Sequence, residues 1–205
     1  MSTGDQRRFA PACERNQGPI LAALHSHFLQ ANQVLEIGCG TGQHGAFFAA
    51  ALPHLSWLPS DLGSAESSVN AWREWSNTAN LLPFVELDLL RPETQHRLPM
   101  VELIFAANLL HISPPETATA LAQLAARQLQ PGGKLVVYGP FRYADQPLEP
   151  SNQRFVEWLT NLDPRFDIRD KSEIDQLLAH HEIEVLEDIE MPSNNRLLIW
   201  QKAED

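Results

Sequence analysis

Three alternate glycines, Gly38, Gly40 and Gly42, close a short apolar run that carries one acid, Gln33-Val34-Leu35-Glu36-Ile37. Glycine permits positive φ and leaves bare main chain for a ligand to approach. Thr41 lies inside the turn, and Ala46, Phe47, Phe48, Ala49, Ala50 and Leu52 behind it read as a helix. The first N–H groups of such a helix are unpaired and carry partial positive charge, which suits a carboxylate, a phosphate or a ribose oxygen. The chemistry implied is that of a nucleotide-class binding loop.

Asp61 stands 19 positions beyond Gly42, at the end of Leu55-Ser56-Trp57-Leu58-Pro59-Ser60-Asp61. A carboxylate at the carboxyl end of a second parallel strand can take both ribose hydroxyls of a nucleoside; the plainer reading is a helix cap or turn acid. Asp88 occupies the same register after a third strand, Leu81 to Leu87. It could reach the exocyclic amine of an adenine, with Leu87 and Leu89 against the ring, although an Asp is common in any such turn. Asn108 and His111 follow a fourth strand, Val101 to Ala107, where parallel sheets open their ligand crevice. An imidazole titrates near about 6.5, so His111 is the first candidate for a general base; packing beneath a ligand is the alternative. Tyr143 is a further catalytic candidate. Arg15, Asn16, Phe141, Asn152, Arg169 and Asn194 are candidate substrate or lid residues, with a cap, turn or surface contact as the alternative for each.

The elements that must position these groups alternate in type. Gln17 to Leu29 carries Ile20, Leu21, Leu24 and Phe28 on one stripe, with Pro19 expected in its first turn, and residues 1–16 read as a solvated leader. Ser64 to Thr78 is a helix with Val69, Trp72 and Trp75 at core spacing. Thr117 to Leu129 is another, broken by Pro131-Gly132-Gly133 ahead of a fifth strand, Lys134 to Tyr138. The longest insertion, 139–170, contains a helix from Ser151 with Phe155, Trp158, Leu159 and Leu162 on one face, and suits a substrate wall or lid. Ser172 caps a short helix to His181. Ile183 to Ile189 and Leu197 to Gln201 are joined by so few residues that no crossover helix fits between them, which makes them antiparallel neighbours. The expected fold is a single-domain α/β chain, 1–205: a Rossmann-like, doubly wound, mostly parallel sheet with the last strand reversed and helices on both faces.

Composition narrows the partners. The chain has 205 residues, 43% apolar and 20% charged, with a net charge of −11. That charge repels phosphate backbones, so nucleic acid and anionic membranes are not expected partners, and a small-molecule substrate fits better. Arg7-Arg8 is the only run of basic residues. No apolar run approaches the ~18 residues of a membrane span, and the amino end lacks a signal-peptide core, so a cytoplasmic protein is expected. Cys13 and Cys39 form no metal or disulfide pattern. No metal site is expected, and the oligomeric state is not legible.

The dinucleotide fingerprint Gly-x-Gly-x-x-Gly fails from Gly38, where residue 43 is Gln43, but survives as Gly40-x-Gly42-x-x-Gly45. Glu36 before the turn and the terminal hairpin count against that nicotinamide reading. Glu36-x-Gly38-x-Gly40-x-Gly42 with Asp61, Asp88 and a reversed last strand resembles the class I S-adenosylmethionine-dependent methyltransferases. Scattered islands are similar to the methyltransferase-like 26 group, a family carrying a domain of unknown function: Glu14-Arg15-Asn16-x-x-Pro19-Ile20, Gly42-Gln43-His44, Pro59-Ser60-Asp61, Tyr138-Gly139-Pro140-Phe141, Ser151-Asn152-x-x-Phe155, Asp163-Pro164, Ile168-Arg169-Asp170 and Met191-Pro192-x-Asn194-Asn195. One departure is Gly38-Cys39, where Ala-Ser is expected.

The resemblance implies S-adenosyl-L-methionine as cofactor and methyl transfer to a small acceptor. It extends the cofactor set to Glu36, Gly38, Gly40, Thr41, Gly42 and His44, with Asp61, Leu62, Asp88, Leu89 and Asn108 completing it. Asn108-Leu109-Leu110-His111 is not the Asn-Pro-Pro-Tyr signature of amino-nitrogen methylation in nucleic acids. The alternatives are a non-catalytic cofactor-binding or regulatory protein and a nicotinamide-dependent oxidoreductase.

Overall fold

Short runs that are apolar on both faces become strands of one sheet, with β1 (Gln33–Ile37), β2 (Ser56–Asp61) and β4 (Val101–Ala107) nearly continuous in burial. With β3 (Val85–Glu86), β5 (Leu129–Gly139), β6 (Ile183–Met191) and β7 (Asn195–Lys202) they follow the order β3-β2-β1-β4-β5-β7-β6 in a computed structural model that describes residues 5–95 and 98–204. The sheet is the mixed one expected: six strands run parallel and β7 is reversed, pairing antiparallel with both β5 and β6. The helices are α1 (Pro11–Leu29), α2 (Gln43–Ala51), α3 (Glu66–Ser76), α4 (Glu116–Gln128), α5 (Pro150–Leu162) and α6 (Lys171–Ala179). Among the described residues no helix is long and apolar enough to cross a membrane.

Internal contacts divide the chain into two units, Met1–Arg97 with Val101–Phe105 and Leu98–Met100 with Ala106–Asp205. The first has an aromatic core. Phe48 packs 5.0 Å from Trp57 and 5.7 Å from both Phe28 and Phe105, in the tilted and edge-on geometries that aromatic rings favour. The amide of Asn80 donates to the carbonyls of Ala49, Leu52 and Leu55, and so closes the end of α2 against the start of β2. The second unit is organised on the β5–β7–β6 ladder, where the fully buried Trp200 donates its indole N–H to Asp175 of α6 at 2.9 Å.

Several boundaries differ from expectation. The leader is not wholly irregular: α1 starts at Pro11, because that proline, at the helix start, has no N–H to lose there. Pro19 therefore falls in the interior of α1 rather than in its first turn; residues 1–4 of the leader lie outside the described residues. The third strand shrinks to Val85–Glu86 plus a bridge from Leu81 to Trp57, since Pro83 cannot donate to a ladder. Trp75 is 62% exposed, so the core stripe of α3 consists of Val69 and Trp72. On α5 only Leu159 is fully buried, while Trp158 and Leu162 are exposed. The cap of α6 is Asp170, whose carboxylate accepts from Ser172 N, two residues earlier than the Ser172 cap read from sequence.

Candidate functional site

The glycine turn links β1 to α2 with Gly38, Gly40 and Gly42 at φ of 69°, 58° and 89°. Two of these glycines do different work. A Cβ on Gly42 would lie 2.9 Å from the Val69 Cα, so this position lets α3 pack against the turn. A Cβ on Gly40 would meet nothing within 4 Å, so that residue is an open face of main chain. The turn is fixed from beneath: Cys39 N donates to Ser60 O at 3.1 Å, Gly42 N to Cys39 O at 3.0 Å, and the Ser60 hydroxyl to Glu36 O at 2.6 Å. Ser68 of α3 donates to Thr41 O at 2.7 Å.

Asp61 ends β2 beside that open face. Its Oδ2 accepts Gly40 N at 2.7 Å and its Oδ1 accepts Leu62 N at 2.7 Å. An ionised carboxylate has about four lone-pair sites, so both oxygens keep capacity for two further donors on one edge, the arrangement that a ribose diol needs. Leu62 alongside is 50% exposed, a free apolar surface, whereas Leu87 and Leu89 are buried. Asp88 is partly engaged by its own turn: it accepts Leu90 N at 2.9 Å and has Arg91 at 3.4 Å.

Other candidates on this side face inward. Glu36 is 1% exposed, and its carboxyl accepts the Trp57 indole N–H at 2.7 Å; burial pushes its pKa up to about 7. Gly45 of α2 makes room for this pair, because a Cβ there would sit 3.2 Å from both Glu36 and Trp57. Glu36 therefore supports the turn from below. His44 shares a 2.7 Å hydrogen bond with Asn16, stacks on Phe48 and approaches the Cys13 thiol at 3.9 Å. This Cys13–His44–Asn16 line has the order of a nucleophilic relay but the wrong electrostatics. Burial raises the thiol to about 11 and lowers the imidazole to about 4, so neither charged partner forms at neutral pH. The trio joins α1 to α2, and Arg15 next to it points to solvent.

In the second unit, Asn108 leaves β4 in the left-handed region at φ 56°, held by its N–H to Tyr138 O at 2.8 Å. A non-glycine residue kept at such φ is a local cost that surrounding structure must maintain. His111 is 5% exposed, lies 5.3 Å from the Phe155 ring, and sits against Gly139, where a Cβ would come 3.5 Å from its Nδ1. Burial first, and the Arg169 charge second, lower its pKa to about 4. The unperturbed value assumed from sequence does not apply: the ring is neutral at pH 7 and only weakly basic. Arg169 is a clamp for this segment, donating from Nε to Leu110 O at 3.1 Å and from Nη2 to Ser113 O.

Tyr143 lies in a separate polar cluster. Its hydroxyl is 3.0 and 2.9 Å from the two oxygens of Asp188, which also accepts Arg196 Nε at 2.8 Å. Burial and the Asp188 carboxylate raise the phenol pKa, so Tyr143 stays protonated. Beside the cluster is a cavity of about 240 Å³ lined by Phe141, Tyr143, Glu149, Asn152, Glu190 and Asn194, among others. It sits just beyond the carboxyl ends of β5 and β6 and brings four sequence candidates together: Phe141, Tyr143, Asn152 and Asn194. Asn152 donates to Asn194 O at 3.3 Å, and Asn194 donates to Ser151 Oγ at 2.9 Å. Ser193 and Asn194 hold φ of 62° and 56° at the hairpin tip.

Two groups were not anticipated. Asp188 and Glu190 alternate with apolar residues in the edge strand β6, Arg196 stands opposite Glu190 on the neighbouring β7, and the three gave no motif. Residues 7–10 are pinned across the glycine turn: Arg8 N donates to Ser68 Oγ at 2.9 Å, Trp72 Nε1 donates to Arg8 O at 2.9 Å, and Ala10 N donates to Gln43. The isolated Arg7-Arg8 pair next to Phe9 was the available signal. Among the described residues no group of three His, Cys, Asp or Glu side chains is placed to hold a metal.

A family model described as "Protein of unknown function (DUF938)" matches residues 7–202. Among solved structures, an O-methyltransferase family protein from Burkholderia thailandensis is 18% identical with a TM-score of 0.81, covering 94% of this chain and 57% of that one. The mitomycin 7-O-methyltransferase MmcR is 17% identical with a TM-score of 0.81 over 94% of this chain and 54% of its own. Human N-acetylserotonin methyltransferase in complex with SAM is 16% identical with a TM-score of 0.73, over 94% and 53%. The chain thus spans a little over half the length of these proteins, and at such identities the likeness establishes the fold.

Proposed function

The chain belongs to the DUF938 family, and we propose that it is an S-adenosylmethionine-dependent methyltransferase acting on a small molecule. The observation that carries this reading is Asp61, fixed by Gly40 N–H and Leu62 N–H beside an exposed glycine whose Cβ position is open. The reversed β7 and the solved methyltransferases of the same fold support it. S-adenosylmethionine supplies a methyl group already activated by the sulfonium charge. Asp61 would hold the ribose hydroxyls, Gly40 would permit close approach, and Leu62 would give apolar contact to the base.

With the electrophile activated, this chain's part is to orient an acceptor and exclude water, for which positioning alone is worth roughly 7–11 kcal/mol. His111 is too weak a base and Tyr143 too strongly protonated to remove a tightly held proton at neutral pH. The acceptor then needs a lone pair available at pH 7, as in an amine, a thiol or an acidified hydroxyl. The cavity beside Tyr143 is a candidate small-molecule pocket within the second unit. Glu149 and Glu190 line it, and Arg196 is already paired with Asp188 and Glu190, so it disfavours anionic ligands.

The test is turnover: the protein is incubated with labelled S-adenosylmethionine and pooled small amines, thiols and phenols, and labelled product and S-adenosylhomocysteine are measured. Equal amounts of methylated product and S-adenosylhomocysteine support the assignment. The weak basicity of His111 also fits a second reading, a cofactor-binding protein without catalysis, which predicts tight cofactor binding and no product from any pool.

A further inference from the structure

Resting on that cofactor reading, we propose that Arg8 binds the amino-acid carboxylate of the cofactor, so that the segment before α1 sets the preference for a ligand with an anionic tail. The two neighbouring arginines are in contrasting states. Arg7 is committed: it pairs with Asp5 at 2.8 Å, and its guanidinium lies 5.0 Å from the Trp72 ring and 4.9 Å from the Trp75 ring. Arg8 has no carboxylate partner among the described residues, and its Nη2 reaches only the carbonyl of Gly40, at 3.3 Å. Its main chain, by contrast, is fixed at both ends of the peptide, N–H to Ser68 and carbonyl to Trp72. A rigid backbone thus places an exposed guanidinium, without a carboxylate partner among the described residues, at the open glycine of the turn.

The charges around Gly40 explain why a cation is required there. Asp61 is bonded to Gly40 N. An anionic tail crossing Gly40 meets that carboxylate, and Arg8 is the cation that reaches the same residue. A guanidinium on a carboxylate makes charge-assisted hydrogen bonds, stronger than the carbonyl contact it would leave.

Two probes separate the tail from the nucleoside: S-adenosylhomocysteine, and 5′-methylthioadenosine, which lacks the amino-acid end. Calorimetry on the full chain should show Arg8→Gln weakening S-adenosylhomocysteine by about ten-fold, one charge-assisted bond's worth, with 5′-methylthioadenosine unchanged. Arg8→Lys should recover most of the preference, and thermal melting should be unaltered because the backbone makes the structural contacts. An unchanged ratio of the two affinities in Arg8→Gln, whether both fall or neither does, overturns the proposal for Arg8 and leaves the cofactor reading standing. Wild-type protein that binds neither probe overturns both.

Discussion

The glycine edge of the first unit and the polar pocket of the second are built from different materials. The first uses main chain: Gly40, the amides at Asp61 and the carbonyls under Ser60 and Ser68 form a rigid frame, and its few side chains are anchored by backbone. The second uses side chains that satisfy one another, with Tyr143, Asp188, Arg196 and Glu190 in one network and Asn152, Asn194 and Ser151 in another. A main-chain site is tied to a fixed ligand chemistry, because peptide groups do not vary. A side-chain pocket can be rewritten without touching the fold. The first edge is accordingly fixed in its chemistry, and the second is open to change by substitution.

The comparison can be broken first within the turn. Gly42→Ala puts a Cβ against Val69 backbone at positive φ, and should cost about 3 kcal/mol in urea unfolding, strain and overpacking together. Gly40→Ala meets nothing, so it should cost only the left-handed strain, about 1–2 kcal/mol, while abolishing ligand binding. Equal stability losses at the two positions would erase the distinction between packing and open glycines.

The buried acid under the turn makes a pH prediction with a definite sign. The folded pKa of Glu36, about 7, lies above its unfolded value near 4.5, so the folded state holds the proton more tightly. Its contribution is fully present below about pH 4.5 and is lost as pH rises through about 7, up to about 3 kcal/mol for the shift. Glu36→Gln should remove that decline, seen as a flatter stability curve between pH 5 and 8. The buried His44 and His111 act oppositely: depressed to about 4, they favour the fold above about 6.5 and lose that support as pH falls toward 4. A Glu36→Gln curve parallel to wild type would show that the carboxyl is ionised throughout.

Asp61→Asn should weaken S-adenosylhomocysteine by on the order of 100-fold, through loss of charged hydrogen bonds to the diol, while leaving the second unit's pocket intact. The smallest effect is expected from Tyr143→Phe: about 1 kcal/mol of stability from the lost bond to Asp188, no change in cofactor affinity, and no alkaline limb removed from the rate profile. A Tyr143→Phe protein that loses cofactor binding would contradict the division of labour.

The same contrast decides what the sequence revealed. The alternate glycines, Asp61 and the two closely spaced final strands were legible because each follows from local rules: positive φ, a strand end, a connection too short for a crossover. The pinning of residues 7–10 and the Tyr143–Asp188–Arg196 network were not, because they join positions far apart in the chain whose types are ordinary where they stand. His111 illustrates the limit. Its place after β4 was readable, but its basicity depends on burial by Phe155 and Gly139 and on the charge of Arg169, which only the folded chain brings together.

The central claim is that Asp61 and the open face of Gly40 bind the adenosyl moiety of S-adenosylmethionine. It is tested most directly by titrating the protein with S-adenosylhomocysteine and, separately, with NADH in a calorimeter, alongside Gly40→Val. The account predicts one micromolar site for S-adenosylhomocysteine, none for NADH, and loss of the site in the variant. NADH binding without S-adenosylhomocysteine binding, or full affinity in Gly40→Val, would contradict it.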